Sequence, residues 1–285
     1  MKFISLFSLC AIAAAIGDAT AKNDKKKKGE LSEASFVLIG DSTTNNNTVT
    51  PNSGGWGNGF CASLQPGIGC ANFGSNGATT GTIVTRGLYG QALDAARSEV
   101  DSGKSVFVTI QFGHNDMKIA GPESMAANMT QFVSNIRGLG AHPIILTPLS
   151  RRGFKSDNIT INDTLGPWAD AARGVATQTN TTLLPLLEAS INYLQKIGPD
   201  AAHLMNRLPA DNTHLNLGGQ ELFGRVVADL MALFTGFEVN FGTESPFVPN
   251  PPLSEAIWTG KQYVFEAVCP SYNASECIGI QPRPF

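Results

Sequence analysis

Five side chains or backbone groups could cooperate in one reaction: Ser42 in Gly40-Asp41-Ser42, Gly77 in Asn76-Gly77-Ala78-Thr79, Asn115 in Gly113-His114-Asn115-Asp116, and Asp211 with His214 in Asp211-Asn212-Thr213-His214. A serine hydroxyl is a weak nucleophile until a base takes its proton, and histidine is the usual base near neutral pH. The chain has four histidines. His142 precedes a proline at the start of an apolar run and reads as structural. His203 is expected in a loop, and His114 is expected to support the turn it occupies. His214 has Asp211 three positions before it. A single turn there brings the carboxylate to Nδ1, which sets the tautomer and leaves Nε2 for Ser42. The anion that forms when a serine attacks a carbonyl needs donors already aimed at it, each worth roughly 10²–10³ in rate. The backbone N–H of Ser42, the backbone N–H of Gly77 and the Asn115 amide are the candidates. Glycine lets backbone approach a ligand closely, and asparagine brings a neutral dipole with no proton to lose.

Taken singly, each of these residues is ordinary turn or cap chemistry. Their joint occurrence in this order is what points to a nucleophilic site. Other catalytic patterns fail. The chain has neither G-x-S-x-G nor H-E-x-x-H. The run Ser102-Gly103-Lys104-Ser105 resembles a phosphate loop, but Ser98 stands where the first glycine belongs and the run precedes a strand instead of following one.

The elements that must position these residues show in the hydrophobic pattern. Short runs rich in Val, Ile, Leu and Phe predict strands at 36–39, 69–73, 106–112, 143–147 and 182–186. Amphipathic segments predict helices at 89–101, 124–139, 168–179, 189–196 and 217–234. In the last, Leu222, Val226, Leu230 and Leu233 form a stripe expected to face the core. A short helix is expected around 59–64, within the long Gly-rich segment between Thr43 and Ile68. Strand-then-helix repetition predicts an α/β domain with a mainly parallel sheet of about five strands and helices on both faces. In such folds functional residues lie beyond the carboxyl ends of the strands, and Ser42, Gly77 and Asn115 each follow a predicted strand. His214 sits in the loop before the last helix, on the same rim.

Bulk properties bound the alternatives. The first 21 residues read as a secretory signal, with Lys2, an apolar run from Ile4 to Ile16 and the small residues Ala19-Thr20-Ala21. That run is shorter than the ~20 residues a membrane span needs, and no later segment qualifies. A basic, solvated lead-in is expected at 22–34, the main domain at 35–234, and a Pro-rich tail packed on that domain at 235–285. With a net charge of −3, nothing argues for nucleic acid or an anionic membrane. Cys10 falls in the signal, which leaves Cys61, Cys70, Cys269 and Cys277. Three pairings are possible. The local one, Cys61–Cys70 with Cys269–Cys277, is expected because each bond closes a short loop. No two of these cysteines have the C-x-x-C spacing of a zinc site, so no metal is expected. Glycosylation sequons begin at Asn46, Asn128, Asn158, Asn162, Asn180 and Asn273.

Gly40-Asp41-Ser42, Gly77, Asn115 and His214 together resemble the four blocks of the SGNH (GDSL-type) hydrolases. Within them, Ile39-Gly40-Asp41-Ser42-Thr43, Gly55-Trp56-Gly57, Gln111-Phe112-Gly113-His114-Asn115-Asp116 and Asp211-Asn212-Thr213-His214-Leu215 most resemble rhamnogalacturonan acetylesterases. The resemblance covers residues 35 to 234. It implies a flavodoxin-like three-layer α/β/α sandwich and a secreted, metal- and cofactor-independent serine esterase, here expected to be a monomer, that acts on acetylated plant cell-wall polysaccharide. It implies Ser42 as nucleophile, Asp211 and His214 as its partners, and Ser42, Gly77 and Asn115 as the oxyanion site. Trp56 is a candidate for stacking on a sugar, against a packing role. A glycan on Asn46 would narrow the mouth beside Ser42. Acetylated xylan, lipid and aryl esters stay open as substrates, and a carbohydrate-binding protein without turnover is the rival from another class.

Overall fold

Strand β1 (Ala34–Gly40) is buried along its whole length, because its alternate side chains feed two separate cores. The computed structural model describes residues 34–46, 54–234 and 245–265. The expected signal, nearly all of the lead-in, Cys269, Cys277 and Asn273 lie outside the described residues. The other strands are β2 (Gly69–Asn72), β3 (Ser105–Gln111), β4 (His142–Leu146) and β5 (Thr182–Leu184). They form one five-stranded sheet in the order β2-β1-β3-β4-β5, with every neighbouring pair parallel. This is the α/β architecture expected from the strand–helix alternation.

One face of the sheet presents Val37, Ile39, Val106, Val108, Ile110 and Ile145. Helices α3 (Leu88–Asp101), α4 (Pro122–Gly138) and α5 (Gly166–Gln178) cover it. The other face presents Phe36, Leu38, Phe107, Ile144 and Leu146. It is covered by α1 (Trp56–Ala62), α6 (Leu186–His203), α7 (Leu217–Phe234) and α8 (Pro251–Thr259). Fully burying each of the larger side chains contributes roughly 1.5–3 kcal/mol, which is why period-two alternation within uniformly apolar strands specifies a three-layer fold.

The Gly-rich segment earns its glycines at the contact between α1 and α7. A Cβ on Gly59 would stand 2.0 Å from the Gln220 carbonyl oxygen, and one on Gly224 would stand 2.3 Å from the Phe60 nitrogen. Only glycine permits backbones this close. The Cys61–Cys70 disulfide, with Cα atoms 5.7 Å apart, ties the end of α1 to the edge strand β2. Residues 245–265 pack on the same layer. Phe247 bridges to Leu64 and is buried, and Trp258 Nε1 on α8 donates to Asp229 Oδ2 on α7 at 2.8 Å.

Three elements were not anticipated: α2 (Thr80–Thr85), a 3₁₀ turn at Asp116–Lys118, and α8. α2 has no apolar periodicity to betray it; a reciprocal Thr79–Thr82 capping box starts it. Helix α6 runs further than expected, because the chain kinks at Gly198 (φ 77°) and Pro199 restarts the helix. His203 therefore ends a helix instead of lying in a loop. Leu222, Val226 and Leu230 are buried as expected, but Leu233 is 71% exposed. The stripe geometry continues to Leu233, whereas the core beneath α7 ends at Met231, the last described side chain of that helix to be buried.

Candidate active site

The Ser42 turn begins where β1 ends, and its neighbour strand holds it. Gly40 pairs in register with Gln111 at the end of β3. Gln111 is fully buried, and its Oε1 accepts from Thr44 Oγ1 at 2.7 Å and Trp56 Nε1 at 3.2 Å. The Thr43 hydroxyl lies 2.8 Å from both Gln111 Oε1 and Asp41 Oδ1 and shares its single hydrogen between them. Asp41 Oδ1 also accepts the Thr43 N–H at 2.8 Å, and the Asp41 carbonyl accepts the N–H groups of Thr44 and Asn45. Burial pushes the Asp41 carboxyl up, but His114 and the Thr43 donors outweigh it and hold the carboxyl below its ordinary value. His114, itself buried, places Nδ1 3.5 Å from Asp41 Oδ2 and braces the turn.

Of the two roles offered for Trp56, the structure gives it the packing one. Its ring is fully buried, packs edge-on against Phe60, and gives its N–H to Gln111. No face is left for a sugar, because the N–H finds its partner only inside the clamp on the Ser42 turn.

Across 172 residues, His214 Nε2 lies 3.1 Å from Ser42 Oγ. His214 Nδ1 lies 2.9 Å from Asp211 Oδ2, and the single turn between them is closed by the His214 and Thr213 N–H groups on Asp211 Oδ1. Burial raises the Asp211 carboxyl, but these bonds and the neighbouring imidazole lower it below the ordinary value, so it stays anionic beside Nδ1–H. Arg207 Nη2 reaches Asp211 Oδ2 at 2.8 Å. The loop hangs from Arg152, which sequence reasoning missed. Its fully buried guanidinium gives Nε to Asn206 Oδ1 at 2.6 Å and Nη2 to the His214 carbonyl at 2.6 Å, while its own N–H donates to the Asn212 carbonyl at 2.8 Å. His203 Nε2 in turn contacts the Arg152 carbonyl at 2.9 Å. Burial lowers the Arg152 pKa to about 10, against the pull of Asp211, so the group stays charged at neutral pH. Nothing near Arg152 in the sequence signals this, because most of its partners are carbonyl groups from a distant loop.

The oxyanion candidates lie on two turns that are stitched together. Asn115 Nδ2 donates to the Ala78 carbonyl at 3.0 Å, and Thr80 gives both its N–H and hydroxyl to Asp116 Oδ1, at 3.0 and 2.7 Å. Lys118 Nζ donates to Asn115 Oδ1 at 2.8 Å, which orients the amide and leaves one hydrogen on Nδ2 unspent. Gly77 has φ +68°, the left-handed conformation that side-chain-bearing residues rarely adopt. Among the described residues, the backbone N–H groups of Ser42 and Gly77 donate to nothing. Ser42 and Asn115 are 5% and 8% exposed, so donors here work in a poorly solvated site. Burial raises the Asp116 carboxyl above its ordinary value despite the two Thr80 donors, and its Oδ2 has no partner.

A hydroxyl, an imidazole and a carboxylate in hydrogen-bonded sequence, beside unspent N–H donors, can perform acyl transfer from an ester. Asn46 is exposed beside the Ser42 turn, and Asn158, Asn162 and Asn180 are exposed elsewhere on the surface. Asn128 is only half-exposed and its amide donates to Thr80 Oγ1 at 3.0 Å, so it does not share the open setting expected of a sequon. Among the described residues, no cluster of three His, Cys, Asp or Glu could hold a metal, and no helix is long and apolar enough to cross a membrane.

Residues 38–222 match the model of the GDSL-like Lipase/Acylhydrolase family. The chain belongs to this family. That membership makes it a carboxylic ester hydrolase of the serine type. It is 29% identical over 210 residues to a rhamnogalacturonan acetylesterase, RhgT, of Bacillus subtilis, covering 67% of this chain and 87% of the relative. A probable rhamnogalacturonan acetylesterase of the same organism, YesY, is 27% identical over 203 residues, covering 68% of this chain and 90% of the relative. Among solved structures, the fold is similar to that of Axe2, an acetylxylan esterase from Geobacillus stearothermophilus, with a TM-score of 0.53 and 21% identity over 78% of this chain and all of that one.

Proposed function

We propose that this GDSL-family protein is a secreted, monomeric serine acetylesterase that removes acetyl groups from rhamnogalacturonan. The observation that carries the chemistry is the Ser42 Oγ–His214 Nε2–Asp211 chain beside the unspent N–H groups of Ser42 and Gly77. In this reading Ser42 Oγ attacks the acetyl carbonyl carbon while its proton passes to His214 Nε2. The N–H groups of Ser42 and Gly77 and the free Asn115 hydrogen receive the oxyanion. Collapse of that intermediate breaks the bond to the sugar oxygen, which takes the proton from Nε2, and leaves acetyl-Ser42. Water then gives a proton to Nε2 and attacks the acetyl group, releasing acetate and restoring the hydroxyl. Asp211 holds the tautomer and stabilises the imidazolium throughout.

The rhamnogalacturonan assignment is supported by the names of the two curated relatives and by the motif resemblance around Ser42 and Asn115. Secretion is supported by the signal-like first 21 residues, with the lead-in at 22–34, the hydrolase domain at 35–234 and the tail at 235–285 as the mature organisation. The second disulfide, Cys269–Cys277, and glycans on the exposed sequons belong to the same reading. Acetate release from acetylated rhamnogalacturonan, acetylated xylan and aryl acetates is the test. Fastest release is expected from rhamnogalacturonan. A preference for xylan or aryl esters would replace the substrate, and binding without release from any ester would replace the enzyme by a carbohydrate-binding protein. Secreted protein beginning at Lys22 is expected from N-terminal sequencing.

A further inference from the structure

The turn that carries Gly77 is the least enclosed of the three that supply oxyanion candidates. Ser42 and Asn115 are buried, whereas Asn76 and Gly77 are both exposed. The N–H of Ala78 closes the turn on the Ser75 carbonyl at 3.1 Å, and the N–H of Ser75 ties its start to the Gly40 carbonyl at 3.0 Å. With a positive φ at Gly77 and none at Asn76, the turn matches type II. Types I and II share that closing bond and differ by a flip of the central peptide, here the one between Asn76 and Gly77. Glycine accepts either state, so neither the closing bond nor packing decides which way the Gly77 N–H points.

Two side chains from different elements do decide it, and both grip Asn76. Arg86 Nη1 donates to the Asn76 carbonyl at 2.8 Å and to Ser75 Oγ at 3.2 Å. Its Nη2 stands 4.0 Å from where a Cβ on Gly77 would lie. The Asn76 carbonyl and the Gly77 N–H belong to one planar trans peptide and point in opposite directions. A donor on the carbonyl therefore fixes the direction of the N–H, and a charged donor polarises the peptide and strengthens it. The short helix α2 delivers this arginine, which is its C-cap. From the nucleophile's side, Asn45 Nδ2 donates to Asn76 Oδ1 at 2.9 Å. Asn45 is buried, with its N–H on the Asp41 carbonyl at 3.1 Å and its carbonyl on the Gly55 N–H at 2.7 Å. A Cβ on Gly74 would stand 2.7 Å from the Asn45 nitrogen, so the two turns meet backbone to backbone.

We infer that Arg86 and Asn45 are positioning residues for the oxyanion site, locking the Asn76–Gly77 peptide with its N–H turned toward an ester at Ser42. The inference rests on the proposed esterase reading, in which Gly77 is an oxyanion donor. A flipped peptide presents the Asn76 carbonyl where the N–H had been, and that oxygen repels the developing anion instead of receiving it. Both residues act through Asn76 and leave the reacting atoms untouched.

The test is steady-state hydrolysis of p-nitrophenyl acetate by the full chain, together with inhibition by trifluoroacetone. Ser42 Oγ adds to the carbonyl carbon of that ketone, its proton passes to His214 Nε2, and the carbonyl electron pair stays on oxygen as an oxyanion. Arg86→Gln and Asn45→Ala are each expected to lower kcat about fivefold to tenfold, with KM unchanged within about twofold. Together they should cost about 10²-fold, the lower end of what loss of one oxyanion donor costs. The inhibition constant of trifluoroacetone should rise by the same factor as kcat falls, because both report the oxyanion. Arg86→Lys keeps a charged donor and should recover most of the loss. An unchanged kcat in Arg86→Gln would overturn the inference, and the exposed position of that side chain leaves the fold intact. So would a loss carried by KM, or a fall in kcat without matching weakening of trifluoroacetone. Absence of turnover of every acetate ester by the unaltered protein would instead refute the esterase reading, and the inference with it.

Discussion

The turn that carries Ser42 is buried on every side, whereas the loop that carries His214 leaves that side chain 30% exposed and Asp211 14% exposed. The first is clamped by side chains: Asp41 closes it locally and Gln111 grips Thr43, Thr44 and Trp56 from the next strand. The second is hung from below by one buried guanidinium, chiefly through backbone carbonyls. The difference fits the roles proposed for Ser42 as nucleophile and His214 as base. A nucleophile needs one fixed position at the sheet rim, and burial among hydrogen-bonded side chains supplies it. A base must exchange protons with serine, leaving group and water in turn, so it stays partly open and takes its precision from a support outside the reaction.

The largest effect that would break this comparison is at Ser42 itself. Ser42→Ala is expected to lower kcat/KM by at least about 10⁴-fold with the melting temperature nearly unchanged. Retained turnover would remove Ser42 from the chemistry. Asp211→Asn should cost about 10³–10⁴-fold, because the amide favours the wrong imidazole tautomer, and it should do so mainly through kcat. Arg152→Met tests the support. It leaves Asn206 Oδ1 without its donor and the His214 carbonyl with only the Arg207 N–H, and about 1–3 kcal/mol of stability should go with a roughly 10–100-fold loss in kcat/KM. Arg152→Lys should restore little, since a single ammonium cannot serve both acceptors. A stable, fully active Arg152→Met protein would mean that the loop holds itself.

The smallest expected effects are on stability, and they have opposite signs. Asp41 has a lowered pKa, so its charge stabilises the fold above the ordinary value of 3.8, and that contribution is lost as pH falls through the lower folded value. Asp41→Asn should therefore lower the melting temperature near neutral pH, with the deficit closing in acid. Asp116 has a raised pKa, so its contribution is present below 3.8 and lost as pH rises through the higher folded value. Asp116→Asn keeps an oxygen for Thr80 and should raise the melting temperature near neutral pH by a few degrees at most, with the gain vanishing in acid. Thermal melts of both variants across acid to neutral pH check the signs.

Much of this was legible in the residues. Strand positions showed as short apolar runs, and all five strands formed, because parallel strands buried on both faces leave little room for polar residues. Ser42, Asp211 and His214 were legible because their chemistry is restricted to few residue types and His214 carries its carboxylate within one turn. Arg152 and the second role of Gln111 were not, since a residue that binds backbone or side chains from a neighbouring strand leaves no local pattern. For Trp56 the packing role was legible from its residue type, but the partner of its N–H, Gln111 on the next strand, was not. Helix α2, short and threonine-rich, depends on Asp116 in another loop, so periodicity could not announce it.

The sequence by itself determined the layered fold, through hydrophobic periodicity, and the set of candidate reactive groups, through residue chemistry and order along the chain. Only the tertiary structure decided that Ser42 and His214 meet at 3.1 Å and that Arg152 is the support beneath the loop of His214. The reason is physical: periodicity and turn chemistry act between residues close in sequence, whereas these contacts join groups up to 172 residues apart that only packing against a common sheet can bring together.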